Sequence, residues 1–228
     1  MNIKRSGLVI PIIALLLFLI AGCAKSPEGS VALTGTRLIV TMTVDGEINS
    51  NYHYYVAFDT TGTSTPGPLP VVAPPWGNGW GTGNITHYVV YDALQPQGGY
   101  GVYRIPSGTD LLGSVYVGPP ISVSIPSSGS NKLQFTVDLS QLASTEIPAD
   151  DIDVVNINFI TTDKIPLDPN TPVQKYYDGL GQTGNDFIQI SVRTDQTYSN
   201  STAEIEDKGD VPLPDLDITD WSVEVQGR

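Results

Sequence analysis

Residues 132–139 read Lys-Leu-Gln-Phe-Thr-Val-Asp-Leu, and polar and apolar side chains alternate there without a break. In an extended backbone successive side chains point to opposite faces, so Leu133, Phe135 and Val137 share one face. A surface helix would instead need an apolar repeat of about 3.6 residues. The segment therefore predicts a β-strand with one face buried and the other in solvent.

The same period of two recurs along the chain from residue 37 onward. Five other segments show it: Leu38 to Val44, Tyr54 to Phe58, Val155 to Phe159, Ile188 to Val192 and Trp221 to Val225. Further strands are expected at 86–92, 99–105, 111–117, 120–125 and 198–205, and only residues 140–144 suggest a helical turn. Roughly ten short strands without intervening helices predict an all-β fold, an antiparallel two-sheet β-sandwich over residues 37–228.

The amino terminus has the layout of a secretory signal. Two basic residues, Lys4 and Arg5, precede an apolar run from Leu8 to Ile20. The run leads through small residues into Cys23, the only cysteine of the sequence. Residues 20–23, Ile-Ala-Gly-Cys, resemble the bacterial lipobox. The resemblance implies that residues 1–22 are a signal peptide cleaved before Cys23, and that Cys23 carries lipid.

Lipid on Cys23 would fix the location of the protein. One acyl chain binds a membrane only marginally, whereas two or more hold firmly, at about 0.8 kcal/mol per buried methylene. We therefore expect a protein of the cell envelope that faces the periplasm or the exterior, with the lipid bilayer as partner and residues 23–36 as a flexible lipidated linker. The alternative is an uncleaved anchor, because residues 7–24 nearly reach the ~20 residues that span a bilayer.

The charge of the chain excludes several partner classes. The net charge is −13, and loss of residues 1–22 would remove Lys4 and Arg5 but no acid, which gives −15. Nucleic-acid binding needs lysine and arginine to neutralise phosphates, so no nucleic-acid partner is expected. An acylated Cys23 would also leave no thiol for a disulfide or a thiolate metal site.

The Gly- and Pro-rich segment 61–84 is the first candidate site. Loops of this length in compact domains tend to be functional or disordered, and Trp76 and Trp80 could stack on a sugar ring. Tyr55, Tyr91 and Tyr103, on predicted strands beside the segment, could add hydroxyl groups to such a ligand site. The alternative is that both indole rings pack over a sheet edge and that the tyrosines are structural.

Acidic turns are the second candidate. Asp59 ends a predicted strand and opens an oxygen-rich turn, which makes it the candidate metal residue, with calcium as the possible ion. The acidic segments 150–153 and 207–217 match no calcium-loop pattern, so solvated turns remain the alternative for all of them. His53 and His87 have no zinc-binding spacing. We expect no other cofactor.

Motifs for catalysis are not found. The sequence contains no Gly-x-Ser-x-Gly elbow, no phosphate-binding loop and no dinucleotide fingerprint after a strand. We therefore expect no catalytic residues and no enzyme activity.

Two segments carry a resemblance to a known superfamily. Residues 54–59 (Tyr-Tyr-Val-Ala-Phe-Asp) and 216–225 resemble strands of the DOMON and family-nine carbohydrate-binding β-sandwich domains. Haem is not implied, because Met42, His53 and His87 lie in no axial-ligand motif of that superfamily. As a whole, the chain resembles the lipoproteins of bacterial envelopes.

Two functions remain open. A module that binds a glycan or another small polar ligand would present an exposed aromatic surface made by Trp76, Trp80 and neighbouring tyrosines. A structural or protein-interaction element of the cell envelope would instead have buried tryptophans, with an exposed apolar patch or an unpaired sheet edge that contacts an envelope protein.

Overall fold

The computed structural model describes residues 35–93, 98–109 and 111–227. Strands make up 40% of the chain and helices 7%, and two antiparallel sheets pack against each other, which confirms the predicted all-β sandwich. The predicted signal peptide, Cys23 and nearly all of the predicted linker lie outside the described residues. Within the described ranges, no helix is both long enough and apolar enough to cross a membrane.

The described residues contain fourteen strands. They are β1 (Arg37–Val44), β2 (His53–Asp59), β3 (Pro68–Pro70), β4 (Gly81–Gly83), β5 (His87–Tyr91), β6 (Tyr100–Arg104), β7 (Val115–Gly118), β8 (Ser122–Ser124), β9 (Lys132–Asp138), β10 (Val154–Thr162), β11 (Tyr177–Gly179), β12 (Ile188–Ser191), β13 (Gln196–Ser199) and β14 (Ile218–Gln226). One short helix, α1 (Asn200–Ala203), and 3₁₀ turns at Leu111–Gly113, Leu139–Leu142 and Ala149–Asp151 complete the regular structure.

The strands form two main sheets and one small hairpin. The five-stranded sheet has the order β13-β14-β1-β9-β8, and the seven-stranded sheet has the order β11-β10-β2-β5-β6-β7, with β12 also paired to β10. Among the strands that the structure describes, β3 and β4 pair only with each other. In the five-stranded sheet, Val40 lies between Val223 and Phe135, so the alternating apolar positions of three strands coincide in register.

The main core fills the space between the two sheets. Four of the five apolar residues of β1 are buried there, and Phe159 of β10 packs against Trp221 of β14 with ring centroids 5.8 Å apart. Burying a large apolar side chain contributes about 1.5–3 kcal/mol, so this interface dominates the stability of the fold.

The central strands β2, β5 and β10 of the seven-stranded sheet are buried on both faces. Strand β10 is buried at eight of its nine positions, and a second apolar cluster covers its outer side. This cluster contains Tyr55, Ala57, Trp80, Ile85, Tyr88, Val90 and Ile160. The segment between β2 and β5, residues 60–86, packs over this face of the sheet and contributes Trp80 and Ile85 to the cluster. We call it the cover segment.

The strand boundaries differ from the prediction at several places. The predicted strand 198–205 ends at Ser199, because α1 follows and Glu204 adopts a left-handed backbone with φ 51°. The predicted strand 111–117 begins only at Val115, after a 3₁₀ turn. Strands β3, β4 and β11 were not predicted, because each has three residues and includes glycine or proline, which periodicity arguments assign to turns.

Candidate functional site

The cover segment is fixed to the sheet by two buried asparagines of β10. The amide of Asn156 donates to the carbonyl oxygen of Thr63 (2.6 Å), and the amide of Asn158 donates to that of Pro68 (2.8 Å). Both side chains are fully buried. Because buried polar groups need partners, these amides specify where the chain must lie, and they hold it through its backbone.

The turn before Trp80 is held by Asn78. Its carboxamide oxygen accepts hydrogen bonds from the backbone N–H groups of Trp80 (3.0 Å) and Gly81 (2.9 Å). Gly79 has φ +88°, and a Cβ atom there would lie 2.5 Å from the Ile165 side chain. Only glycine fits this position, so the chain can turn sharply enough to direct the indole ring inward.

Trp80 lies in a buried stack of aromatic rings. Its ring is parallel to that of Tyr55, with centroids 4.1 Å apart, and also contacts Tyr88 at 5.0 Å. Tyr88 in turn stacks on Tyr103 at 5.0 Å, and the ring of Trp80 is only 4% exposed. Each such pair adds about 0.5–1.5 kcal/mol beyond its buried area. The aromatic faces are therefore used against one another.

Trp76 is buried separately and is only 2% exposed. Its indole N–H donates to the carbonyl oxygen of Thr171 (3.0 Å), and the Lys175 ammonium lies 5.5 Å from the ring centroid. Lys175 also donates to the carbonyl oxygen of Val71 (2.7 Å), and burial lowers its pKa to about 8. These contacts join the cover segment to the loop between β10 and β11.

The structure thus corrects the expectation of an exposed aromatic surface. Tyr55, Trp80 and Tyr103 do come together, but in a cluster that packs internally. Tyr91 belongs to the opposite side of the sheet, where its ring contacts Tyr100 at 5.0 Å and packs against the main core. Burial of both tryptophans agrees instead with the alternative interpretation, in which the indole rings pack against the sheet.

Beside the aromatic cluster lies a groove of about 720 Å³. Most of its lining comes from four stretches of chain, residues 60–63, 75–87, 104–109 and 144–147. Its lining includes threonine residues, the asparagines Asn78 and Asn84, and apolar residues such as Ile85 and Ile105. Ligand sites typically have volumes of about 300–1,000 Å³ and combine apolar lining with a few polar groups, so the groove has the dimensions of a small-molecule site.

Arg104 and Glu146 provide the charges of the groove. Arg104 is the last residue of β6, and its Nε is buried without a hydrogen-bond partner among the described residues. Glu146 is exposed, and its own backbone N–H, the Ser144 side chain and the Arg104 charge hold its pKa below the usual range. The groove therefore offers a strong donor and an ionised acceptor.

His87 forms a neutral part of the groove lining. Burial lowers its pKa from 6.5 to about 4, against a raising effect from the Ala143 carbonyl, while the Arg104 charge lowers it further. The ring nitrogens lie 3.1 Å from the Thr86 hydroxyl and 3.3 Å from the Ala143 carbonyl oxygen. At neutral pH the imidazole is therefore uncharged and donates to Ala143.

Asp59, the predicted metal residue, anchors the start of the cover segment instead. Its carboxylate is fully buried and accepts hydrogen bonds from the Thr61 backbone N–H (2.9 Å) and from the Asn156 amide (3.1 Å). Among the described residues, the group of three side chains that could share a metal ion lies elsewhere. The turn at Asp59 is thus explained by hydrogen bonding within the fold.

Comparisons of the chain with protein-family models, with curated proteins and with solved structures found no match. A function must therefore be inferred from the geometry and chemistry of the chain's own residues.

Proposed function

We propose that this chain is a lipid-anchored binding module of the bacterial cell envelope, and that its groove takes a glycan or another small polar ligand. The observation that carries the proposal is the position of Arg104 at the groove. The fold leaves its buried Nε without a partner among the described residues. A buried unpaired polar group costs about 1–3 kcal/mol, so a ligand whose binding shifts the side chain far enough for the Nε to reach an oxygen acceptor would recover part of that cost.

The chemistry of the groove favours a hydroxyl-rich ligand. Arg104 can donate to a ligand oxygen, Glu146 can accept from a hydroxyl group, and apolar residues such as Ile105 can contact C–H groups. A sugar carries all three kinds of group on one ring. A strongly anionic ligand is disfavoured, because Glu146 lies in the groove and the chain has a net charge of −13.

Binding would be tested with the full-length chain in detergent. A glycan array would identify ligands, and isothermal titration calorimetry would measure their affinity for the wild type and for Arg104→Gln. We expect Arg104→Gln to weaken binding at least tenfold. The matched control is Arg193→Gln, because Arg193 forms an exposed ion pair with Asp153 and does not line the groove. Equal affinity of wild type and Arg104→Gln, or no bound glycan, would refute the proposal.

The proposed anchor rests on the lipobox resemblance at residues 20–23 and is tested separately. Mass spectrometry of the protein from the cell membrane should show residue 23 at the amino terminus with acyl chains attached. Cys23→Ala should abolish both the cleavage and the acylation. An intact leader with a free thiol in the wild type would contradict this part of the proposal.

A second candidate function is supported by the sheet edges. Strands β7 and β8 are the last strands of the two sheets, and the short link Pro119-Pro120-Ile121 joins them. Large apolar side chains are exposed here, namely Val115, Tyr116, Ile121 and Ile125. Unpaired edges can accept a strand from an envelope protein. Crosslinking in intact cells through position 125 should then capture a partner, and a chain that stays monomeric and uncrosslinked would count against this function.

A further inference from the structure

Four carboxylates converge where the loop between α1 and β14 meets the edge of the seven-stranded sheet. Asp178 lies in β11, Asp217 directly precedes β14, and Glu206 and Asp210 lie in the loop. One carboxylate oxygen from each of Asp178, Asp210 and Asp217 lies within 4.8 Å of the other two. None of these four residues lines the groove.

The spacing of the three aspartates fits a single calcium ion. Calcium binds oxygen at about 2.3–2.6 Å, so two oxygens on one ion lie no more than about 5 Å apart. The observed limit of 4.8 Å meets this condition for all three pairs. Carboxylates are also the oxygen ligands that calcium prefers.

Glu206 is an independent sign of a cation. It is 95% buried, and its Oε2 accepts a hydrogen bond from the Gly181 backbone N–H (2.9 Å). Its Oε1 is buried without a hydrogen-bond partner among the described residues. The charges that act on Glu206 are those of Asp178, Asp210 and Asp217, so the carboxylate lies close to the three aspartates. A buried acid that faces other acids needs a positive charge to be stable as an anion.

Backbone N–H groups hold Asp178 and Asp217 in place and leave part of the hydrogen-bonding capacity of their carboxylate oxygens unused. Asp178 accepts one hydrogen bond at each oxygen, from the backbone N–H groups of Gly179 (2.8 Å) and Ile218 (2.7 Å). Asp217 accepts from the backbone N–H of Gly209 at 2.9 Å and 3.1 Å. Each carboxylate oxygen has two lone pairs, so one remains for a metal. The fold therefore sets the positions of Asp178 and Asp217 before any ion arrives.

We infer that Asp178, Asp210 and Asp217 form a calcium-binding site, and that the neighbouring Glu206 adds its negative charge to it. The bound ion would join β11 of the seven-stranded sheet to the start of β14 in the five-stranded sheet, and would order the loop that carries Glu206 and Asp210. Calcium fits better than magnesium, because an irregular loop with several carboxylates suits flexible coordination, whereas magnesium demands octahedral geometry and keeps its waters.

The test uses the full-length chain freed of metal with EDTA. Calorimetric titration with CaCl₂ should show one site, and the midpoint of thermal unfolding should rise in calcium relative to EDTA. Asp210→Asn and Glu206→Gln should each weaken calcium binding at least tenfold. Both variants should fold in EDTA, because each removes one charge from a group of like charges. If one of them does not fold, the other serves alone.

The matched control is Asp207→Asn, which removes the same charge from the same loop at an exposed position outside the group. It should bind calcium within twofold of the wild type. The site would be disproved by a wild type that neither binds calcium nor gains thermal stability. It would equally be disproved if Asp207→Asn lost as much affinity as Asp210→Asn. An equal gain from MgCl₂ would overturn the assignment to calcium.

Discussion

The contribution of His87 to the stability of this sandwich should fall when the pH is lowered from 7 to 5. The ring is only 1% exposed, and burial lowers its pKa from 6.5 to about 4. Between those values the unfolded chain binds a proton that the folded chain does not. His87 therefore contributes stability that is present above pH 6.5 and is lost as the pH falls toward 4.

The size of the effect follows from the difference between the two pKa values, about 2.5 pH units. One unit corresponds to about 1.4 kcal/mol, so the full loss is about 3 kcal/mol, of which about 2 kcal/mol falls between pH 7 and pH 5. The charged group that acts on the ring is Arg104, which favours the neutral imidazole, whereas the Ala143 carbonyl favours the protonated imidazolium.

The assay is urea unfolding of the wild type and of His87→Gln at pH 7, 6 and 5. The substitution removes the titrating ring and keeps an N–H donor for Ala143. The buried acids Asp178 and Glu206, whose pKa values burial raises, act in the opposite direction over this range. They are present in both proteins, so their effect cancels when the two pH profiles are subtracted.

Nuclear magnetic resonance gives an independent readout, because the sequence contains only two histidines. The ring signals of His87 should not shift until the pH approaches 4. If they titrate near 6.5, or if His87→Gln loses as much stability between pH 7 and pH 5 as the wild type does, the account of this residue is wrong.

Three further predictions concern the cover segment. Trp80→Ala should reduce the free energy of unfolding by about 3–5 kcal/mol, because it removes a buried ring that stacks on Tyr55; a loss below 1 kcal/mol in urea unfolding would contradict the packing. Asn158→Leu should leave the Leu180 amide without the Asn158 carboxamide oxygen to which it donates, and hydrogen exchange at Leu180 should accelerate at least tenfold; unchanged protection would refute this hydrogen bond. Gly79→Ala should lower the free energy of unfolding by about 1–3 kcal/mol, because the backbone there is left-handed and the new Cβ atom would clash with Ile165. Thermal unfolding would measure the loss, and an unchanged midpoint would show that the turn relaxes to accept the methyl group.

Periodicity predicted the main core well because that core depends on local alternation. Leu133, Phe135 and Val137 are all buried, and their neighbours Lys132 and Gln134 are exposed. The same reasoning missed the second buried face of the seven-stranded sheet. That face exists because the cover segment packs on it, through hydrogen bonds from Asn156 and Asn158 to residues 93 and 90 positions away in the chain.

The sites were harder to predict for the same reason. The glycine-rich surroundings of Trp76 and Trp80 suggested exposure, but their burial depends on contacts with distant segments, such as the carbonyl oxygen of Thr171. Arg104 was missed because a strand-terminal arginine has no local signature. The sequence did not predict that Asp178 and Asp217 lie close together. They meet only because β11 pairs with β10 and the first residue of β14, Ile218, donates a hydrogen bond to Asp178.

Because the asparagines of β10 hold the cover segment by its backbone, the position of the segment does not depend on the identity of its side chains. The two asparagines hold carbonyl oxygens, which every amino acid supplies, so exposed residues such as Thr61 and Thr82 can be exchanged without loosening the attachment. Variants that keep the two asparagines can therefore differ at these exposed positions while the framework stays constant. A library randomised at those exposed positions is a practical starting point for selecting new binders on this scaffold.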